Sequence, residues 1–180
     1  MSDYSLIMTE KQEKILTAAL TLFAKEGYTA TSTNKVAKQA GVSEGLIFRH
    51  FKNKEGLLQA ILQQGEARIK EMFIPILTSE DPKEVIRLTL EIPFSVTESE
   101  FEFWKLQFKL KWELEYNNPE KMQPLQEALA VAFQKLGYET PELEAEFIIV
   151  FLEGISTAII KDNMSNKLKF KEFLVQKYKL

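Results

Sequence analysis

The sequence predicts an all-α protein of about nine helices, split into a three-helix N-terminal domain over residues 1–53 and a larger helical domain over 54–180. Three observations carry this. Apolar residues recur at helical rather than alternating spacing along the chain, and no convincing strand pair stands out. Pro82, Pro93, Pro119, Gly137 and Pro141, with the polar stretch 163–166, interrupt the C-terminal part at helix-length intervals. Two short apolar-faced segments lie close together on either side of Gly41.

The first helix is expected over 10–26. Ile15, Ala19, Leu22 and Phe23 fall at i, i+4, i+7 and i+8, one buried face, and Gly27 follows as a stop. Thr31, Ser32 and Thr33 are a cluster of N-cap candidates before a short helix over 33–40. Val36, Ala37 and Ala40 lie on one side of it, and Gly41 ends it. Val42 is apolar and plugs the turn. Ser43 is the next N-cap, and Glu44 sits in a first turn, where the helix dipole favours an acid. That second short helix runs to Phe51, with Ile47 and Phe51 facing inward. Asn53 caps a longer helix whose inner face begins Leu57, Leu58, Ile61, Leu62; it is expected to stop near Phe73, before Pro75. Gly56 and Gly65 are candidate loosening points within it. Five more helices are expected over 82–92, 97–117, 119–136, 141–162 and 166–178.

Composition excludes several classes of function. At 180 residues, 45% hydrophobic and 27% charged, the chain is long enough for a core and ordinary for a globular protein. It has no Cys, which removes disulfides, thiolate zinc sites and a thiol nucleophile. His50 is the only histidine, so a multi-histidine metal site is impossible; no metal and no cofactor are expected. No phosphate-binding glycine loop is present. Glu113 and Glu115 are two apart and point to different sides of a helix, so an enzyme is not expected. The longest apolar block, 147–152, is ended by Glu153, far short of the roughly 18 residues of a membrane span. The N-terminus lacks the pattern of a signal peptide. A cytoplasmic protein with no membrane partner is the expectation. The net charge of −3 hides an asymmetry: the first 65 residues carry a basic surplus and the remainder an acidic one.

The two short helices, the tight glycine turn and the helix in front of them form a helix-turn-helix pattern. Ala37 is small where helices must cross closely. Val42, Ile47 and Phe51 fix the crossing by burial. The second helix is then free to present Glu44, Gly45, Leu46, Phe48, Arg49 and His50. Thr31, Ser32 and Thr33 place hydroxyls at one helix N-terminus, an end that attracts phosphate, and Lys54 adds a cation at another.

Residues 15–62 resemble the DNA-binding domain of TetR-family transcriptional regulators. The matching features are Ala18, Ala19, Leu22 and Phe23, then Gly27, the threonine cluster and Val36-Ala37. They continue with Ala40-Gly41-Val42-Ser43, Gly45, the run from Phe48 to Phe51, and Asn53-Lys54-Glu55 before Leu57-Leu58. The resemblance implies a homodimer that binds a double-stranded, palindromic operator, usually as a repressor, and is released by a small-molecule effector held among the C-terminal helices. It implies that Thr33 and Lys54 hold phosphates, with Ser32 and Lys35 in the same region. Ser43, Glu44, Gly45, Leu46 and Arg49 would lie in or beside the major groove, and His50 on the backbone. The family often has Tyr where this chain has Phe48; a phenyl ring cannot give the hydroxyl–phosphate bond, which leaves a thymine methyl contact or a core role. Leu46 is apolar at a position facing DNA. Arg49 reads either as a bidentate guanine contact or as a phosphate clamp. Glu44 reads either as a helix cap or as a contact to a cytosine amino group. A helical small-molecule-binding module with weak or lost DNA binding is the alternative.

In the region 97–117, Phe101, Trp104, Phe108 and Trp112 form one stripe, and Phe103, Leu106, Leu110 and Leu114 a second about 200° away. Glu102, Lys109 and Glu113 occupy one flank; Glu100 and Lys111 occupy the other. A helix apolar on two sides is buried on two sides, and this one is expected at the centre of the C-terminal domain. The aromatic stripe reads either as core or as the lining of a pocket for a mainly apolar effector, with Met72, Met122 and Phe133 as companions. The region 141–162 is apolar beyond what one face requires. With Gly154 and Ala158 permitting close approach, Phe147, Phe151, Gly154, Ile155, Ala158 and Phe173 are candidates for a four-helix dimer interface. An internal hairpin is the other reading.

Overall fold

A computed structural model describes residues 8–113 and 119–180, and the side chains of residues 111, 112 and 119 lie outside that description. Among the described residues all regular structure is helical: α1 (Glu10–Glu26), α2 (Thr33–Ala40), α3 (Glu44–Phe51), α4 (Lys54–Thr78), α5 (Pro82–Ser95), α6 (Phe101–Glu113), α7 (Gln123–Lys135), α8 (Pro141–Ile160) and α9 (Lys167–Lys177). Short 3₁₀ turns at Glu98–Glu100 and Pro119–Lys121 precede α6 and α7.

The first three helices lie where their caps and glycines place them. α1 also has a reciprocal cap that the sequence reading missed. Thr9 Oγ1 accepts from the Gln12 N–H at 3.3 Å, and the Gln12 side chain accepts from the Thr9 N–H at 2.9 Å. The later helix ends depart from expectation. α4 continues through Pro75 to Thr78, and α5 continues through Pro93 to Ser95. An interior proline costs about 3 kcal/mol by removing a hydrogen bond and crowding the preceding turn. Burial offsets that loss. Ile76 is buried beyond Pro75, Phe73 packs against the same core, and Pro93 is itself buried. Each large apolar side chain so buried contributes about 1.5–3 kcal/mol. The helix expected over 97–117 begins instead as a 3₁₀ turn. Thr97 donates from its N–H and its hydroxyl to Glu100 Oε2, at 2.7 and 2.6 Å, and the same carboxylate pairs with Arg68. Residues 114–118, the expected end of that helix, lie outside the described residues.

The chain falls into two compact units: Met1–Ala67 with Glu102–Tyr116, and Arg68–Phe101 with Asn117–Leu180. The core of the first joins Ile15, Ala19 and Phe23 of α1 to Val36 of α2, Ile47 of α3 and Leu57 and Ile61 of α4. Leu106 and Leu110 of α6 complete it, both with no exposed surface. This corrects the expectation that the helix is central to the C-terminal domain. Its leucine stripe closes the N-terminal core. Gly65 of α4 is part of the same packing. A Cβ added there would stand 1.8 Å from Phe103 Cζ, so this glycine admits a ring rather than loosening the helix.

The second unit packs α7 on α8, with α5 against α7, α8 and α9. Ile86, Leu90, Leu129, Phe133, Ile148 and Leu174 lie in its core.

Gly65→Ala is expected to lower stability by about 1–3 kcal/mol through overpacking, read as a fall in the thermal midpoint. Combining it with Phe103→Leu should cost less than the sum of the two single changes, because the smaller side chain vacates the clash. Strict additivity would contradict the contact.

Candidate nucleic-acid interface

The α2–α3 corner is built from short-range constraints. Gly41 takes the left-handed conformation, φ 68°, which a side chain disfavours. The Val42 N–H then returns to the Ala37 carbonyl at 3.0 Å. Ala37 is buried, Val42 packs against the first core, and Ile47 and Phe51 are buried beneath α3. With that face fixed inward, Gly45, Phe48 and Arg49 are exposed on the other, and Phe48 keeps 47% of its surface open. Phe48 is therefore not core. Leu46 is half-buried against the first core rather than fully presented, and His50 is half-buried with its ring 6.2 Å from that of Phe51. A Cβ built on Gly45 meets nothing within 4 Å, so another surface can approach the α3 backbone there.

Polar contacts lock the two helix starts together. Ser32 Oγ caps α2 by accepting from the Lys35 N–H at 3.2 Å. The Thr33 hydroxyl donates to Glu44 Oε1 at 2.6 Å, and Asn34 Nδ2 donates to Glu44 Oε2 at 3.4 Å. Glu44 thus ties the first turn of α3 to the first turn of α2, a use that neither sequence reading anticipated. Ser43 occupies the N-cap position of α3 but makes no side-chain capping bond. Lys35 pairs with Glu26 at 2.5 Å. Asn53 caps the next helix as expected, accepting from the Gly56 N–H at 2.7 Å.

Lys54 turns toward the connection between α1 and α2. Its ammonium donates to the carbonyls of Tyr28 at 3.0 Å, Thr31 at 3.2 Å and Thr29 at 3.4 Å, and lies 4.4 Å from the Tyr28 ring centroid. The buried Thr31 hydroxyl donates to the Gly27 carbonyl at 2.8 Å. Two further residues, absent from the sequence-derived candidates, reach this turn from α6. Lys109 Nζ donates to the Lys25 carbonyl at 2.6 Å. Glu113 accepts from the Tyr28 N–H at 3.1 Å and the Thr29 N–H at 2.5 Å. Burial raises the Glu113 pKa, but the hydrogen bonds from Thr29 and Tyr28 and the Lys109 charge more than offset it and hold the carboxyl below its ordinary 4.5. A carboxylate with a depressed folded pKa stabilises the fold above its unfolded pKa, and that contribution is lost as pH falls through the folded value. The clasp is therefore intact at neutral pH. Its one sequence signal was the placement of Lys109 and Glu113 on the same flank of a helix.

The remaining candidates are dispersed. Phe133 is fully buried in the second core, its ring against those of Tyr138 and Tyr178. Met72 and Phe101, in the second unit, and Trp104 and Phe108, in the first, are half-buried. The Trp112 side chain lies outside the described residues. Trp104 Nε1 is buried and has no hydrogen-bond acceptor among the described residues. On α8 and α9, Phe147 and Phe173 are exposed at 51% and 54%, Gly154 is exposed, and Phe151 and Ala158 are half-buried. Ile155 faces the other way, into its own unit's core. The rings of Phe147, Phe151, Phe170 and Phe173 form a continuous series with neighbouring centroids 5.9–6.2 Å apart.

Residues 15–61 match the profile of the family described as bacterial regulatory proteins, tetR family. The fatty acid metabolism regulator protein of Bacillus subtilis is 32% identical over 159 residues, which cover 88% of this chain and 75% of that protein. The chain belongs to the TetR family, whose members are regulators rather than enzymes. The uncharacterized HTH-type transcriptional regulator YvkB of Bacillus subtilis is 51% identical over 57 residues, 32% of this chain and 30% of YvkB. The chain spans less than half the length of YvkB and of two similar curated regulators. The fold is shared by the fatty acid degradation regulator FadR of Bacillus halodurans, with a TM-score of 0.66 and 23% identity over 95% of each chain. No helix among the described residues is long and apolar enough to cross a membrane.

Glu44→Ala and Thr33→Val should each destabilise the protein. A double-mutant cycle on thermal or urea unfolding should return a coupling of about 1 kcal/mol, the size expected of a part-exposed side-chain hydrogen bond. Zero coupling would remove the α2–α3 tie.

Proposed function

We propose that the chain is a DNA-binding transcriptional repressor that reads a palindromic operator as a homodimer and releases it on binding a small, mainly apolar effector. The observation that carries this reading is α3: a buried Ile47–Phe51 face opposite an exposed Gly45–Phe48–Arg49 face, mounted on a glycine corner, in a chain of the TetR family. In this reading residues 1–53 supply the DNA-contacting surface. Arg49 reaches bases or phosphates, and Phe48 offers its ring to a thymine methyl. Ser43, whose hydroxyl makes no cap, and Ser32 lie at helix N-termini suited to phosphate. Lys54, engaged with loop carbonyls, acts by holding the turn before α2.

Residues 54–180 carry effector binding and dimerisation. The phenylalanine series on α8 and α9, exposed at Phe147 and Phe173, and the open surface at Gly154 support an isologous helical interface, with Ile155 contributing to the core behind it. A two-fold dimer would set its recognition helices about 34–36 Å apart, one DNA turn. The half-buried Trp104 and Phe108 of α6 support an apolar effector. So does the similarity over most of its length to a protein named for regulating fatty acid metabolism. The Trp104 N–H, without an acceptor among the described residues, supports an effector that carries a hydrogen-bond acceptor. Release follows if the effector binds better to a conformation that binds DNA worse. The protein acts in the cytoplasm.

The test is fluorescence anisotropy on the DNA upstream of the chain's own gene, against scrambled DNA, across a salt series. Preference for the native fragment, with log K falling steeply as log[salt] rises, is the expected result. Arg49→Ala separates its two roles. Loss of about 1–3 kcal/mol with relaxed sequence preference marks a base contact; a uniform loss with a shallower salt slope marks a phosphate contact. No sequence preference for this fragment, or for any duplex from a random pool, would favour a small-molecule-binding module that does not read DNA.

A further inference from the structure

The unit that carries α3 is not closed by the helices of the DNA-binding motif. Leu106 and Leu110 of α6 are fully buried in its core, and Phe103 of the same helix fills the space over Gly65. That packing brings two charged side chains of α6, one helical turn apart, onto the turn between α1 and α2. Lys109 takes the Lys25 carbonyl in the last turn of α1, where the helix dipole favours a cation. Glu113 takes the next two free N–H groups, those of Tyr28 and Thr29. Lys54 holds carbonyls of the same turn, including that of Thr31. Thr31 adjoins Ser32, the N-cap of α2, and Glu44 ties the start of α2 to the start of α3. The path from α6 to α3 thus runs through hydrogen bonds and the short stretch of backbone between Thr31 and Thr33, within one compact unit.

We propose that Lys109 and Glu113 are positioning residues for DNA recognition, holding the α1–α2 turn so that α2 and α3 meet DNA as one rigid surface. This rests on the DNA-reading function proposed above and extends it to residues outside the motif. The bonds lie at the surface, where water can replace them. Their loss therefore moves stability little. What changes is the freedom of the turn, and a freer turn must be ordered again when DNA binds.

The experiment uses the full chain and the duplex that the wild type enriches from a random-sequence pool. Wild type, Glu113→Ala, Glu113→Gln and Lys109→Met are compared by anisotropy, by thermal midpoint and by the amide resonances of Tyr28 and Thr29. Glu113→Ala is expected to weaken binding at least fivefold with a thermal midpoint within a few degrees of wild type. The Thr29 amide should move upfield as it loses a carboxylate acceptor. Glu113→Gln keeps an acceptor oxygen and should recover most of the affinity. Lys109→Met should weaken binding in the same direction. Affinity within twofold of wild type in Glu113→Ala, with or without the amide shift, overturns the inference while leaving DNA binding intact. If Glu113→Ala does not fold, Glu113→Gln and Lys109→Met decide: wild-type affinity in both overturns it. A wild type that enriches no duplex overturns the DNA-reading premise and this inference with it.

Discussion

Between Glu26 and Ser32 the chain leaves one helix and enters another, so its backbone groups lack the partners that a helix would provide. Besides bonds within the segment itself, three side chains from elsewhere supply partners: the Lys54 ammonium for carbonyls, the Glu113 carboxylate for amides, and Lys109 for the end of α1. At the surface water could take these bonds at little cost in stability, but side chains anchored in the packed helices hold their partners in fixed directions, so a turn partnered in this way has a defined shape. That shape sets where Ser32 caps α2. α2 sets the corner at Gly41, and the corner sets which residues of α3 face outward. Arg49 is exposed because Ile47 and Phe51 are not, and they are buried because the turn delivers α2 at the right angle.

The apolar core and the polar turn divide the work. The core fixes the helices to within side-chain packing, and its energy comes from area: each fully buried side chain such as Ile15, Phe23 or Ile47 contributes on the order of 1.5–3 kcal/mol. The surface bonds add far less to stability. Their contribution is direction, because a short carboxylate–amide contact tolerates little displacement. A protein that reads a groove needs both, since stability alone does not align a helix with base edges.

The first three helices were legible because everything that defines them is local. Caps at Ser32 and Asn53, the stop at Gly41 and the i, i+4 spacing of Ile47 and Phe51 all act within a turn or two. The ends of α4 and α5 were not, because proline's local cost is decided by distant burial: Ile76 holds α4 helical past Pro75. Two apolar stripes on α6 were visible, but periodicity shows that a face is buried and not against what. Leu106 and Leu110 close the N-terminal core. The apolar run in α8 likewise concealed its inward side, which the structure assigns to Ile148, Leu152, Ile155 and Ile159. At the candidate site, the exposure of Gly45, Phe48 and Arg49 followed from the pattern. The Thr33–Glu44 tie and the Glu113 clasp did not, because residue type and helical flank do not name a partner across the fold.

In the proposed function the exposed face of α3, with the start of α2, is the surface that meets DNA. Amide chemical-shift mapping of the full chain during titration with its enriched duplex tests it most directly. The account predicts that the largest shifts fall on residues 43–50, with a second group at Ser32 and Thr33 and little change along α7 and α8. Saturable binding with shifts centred elsewhere and residues 43–50 unmoved would contradict it.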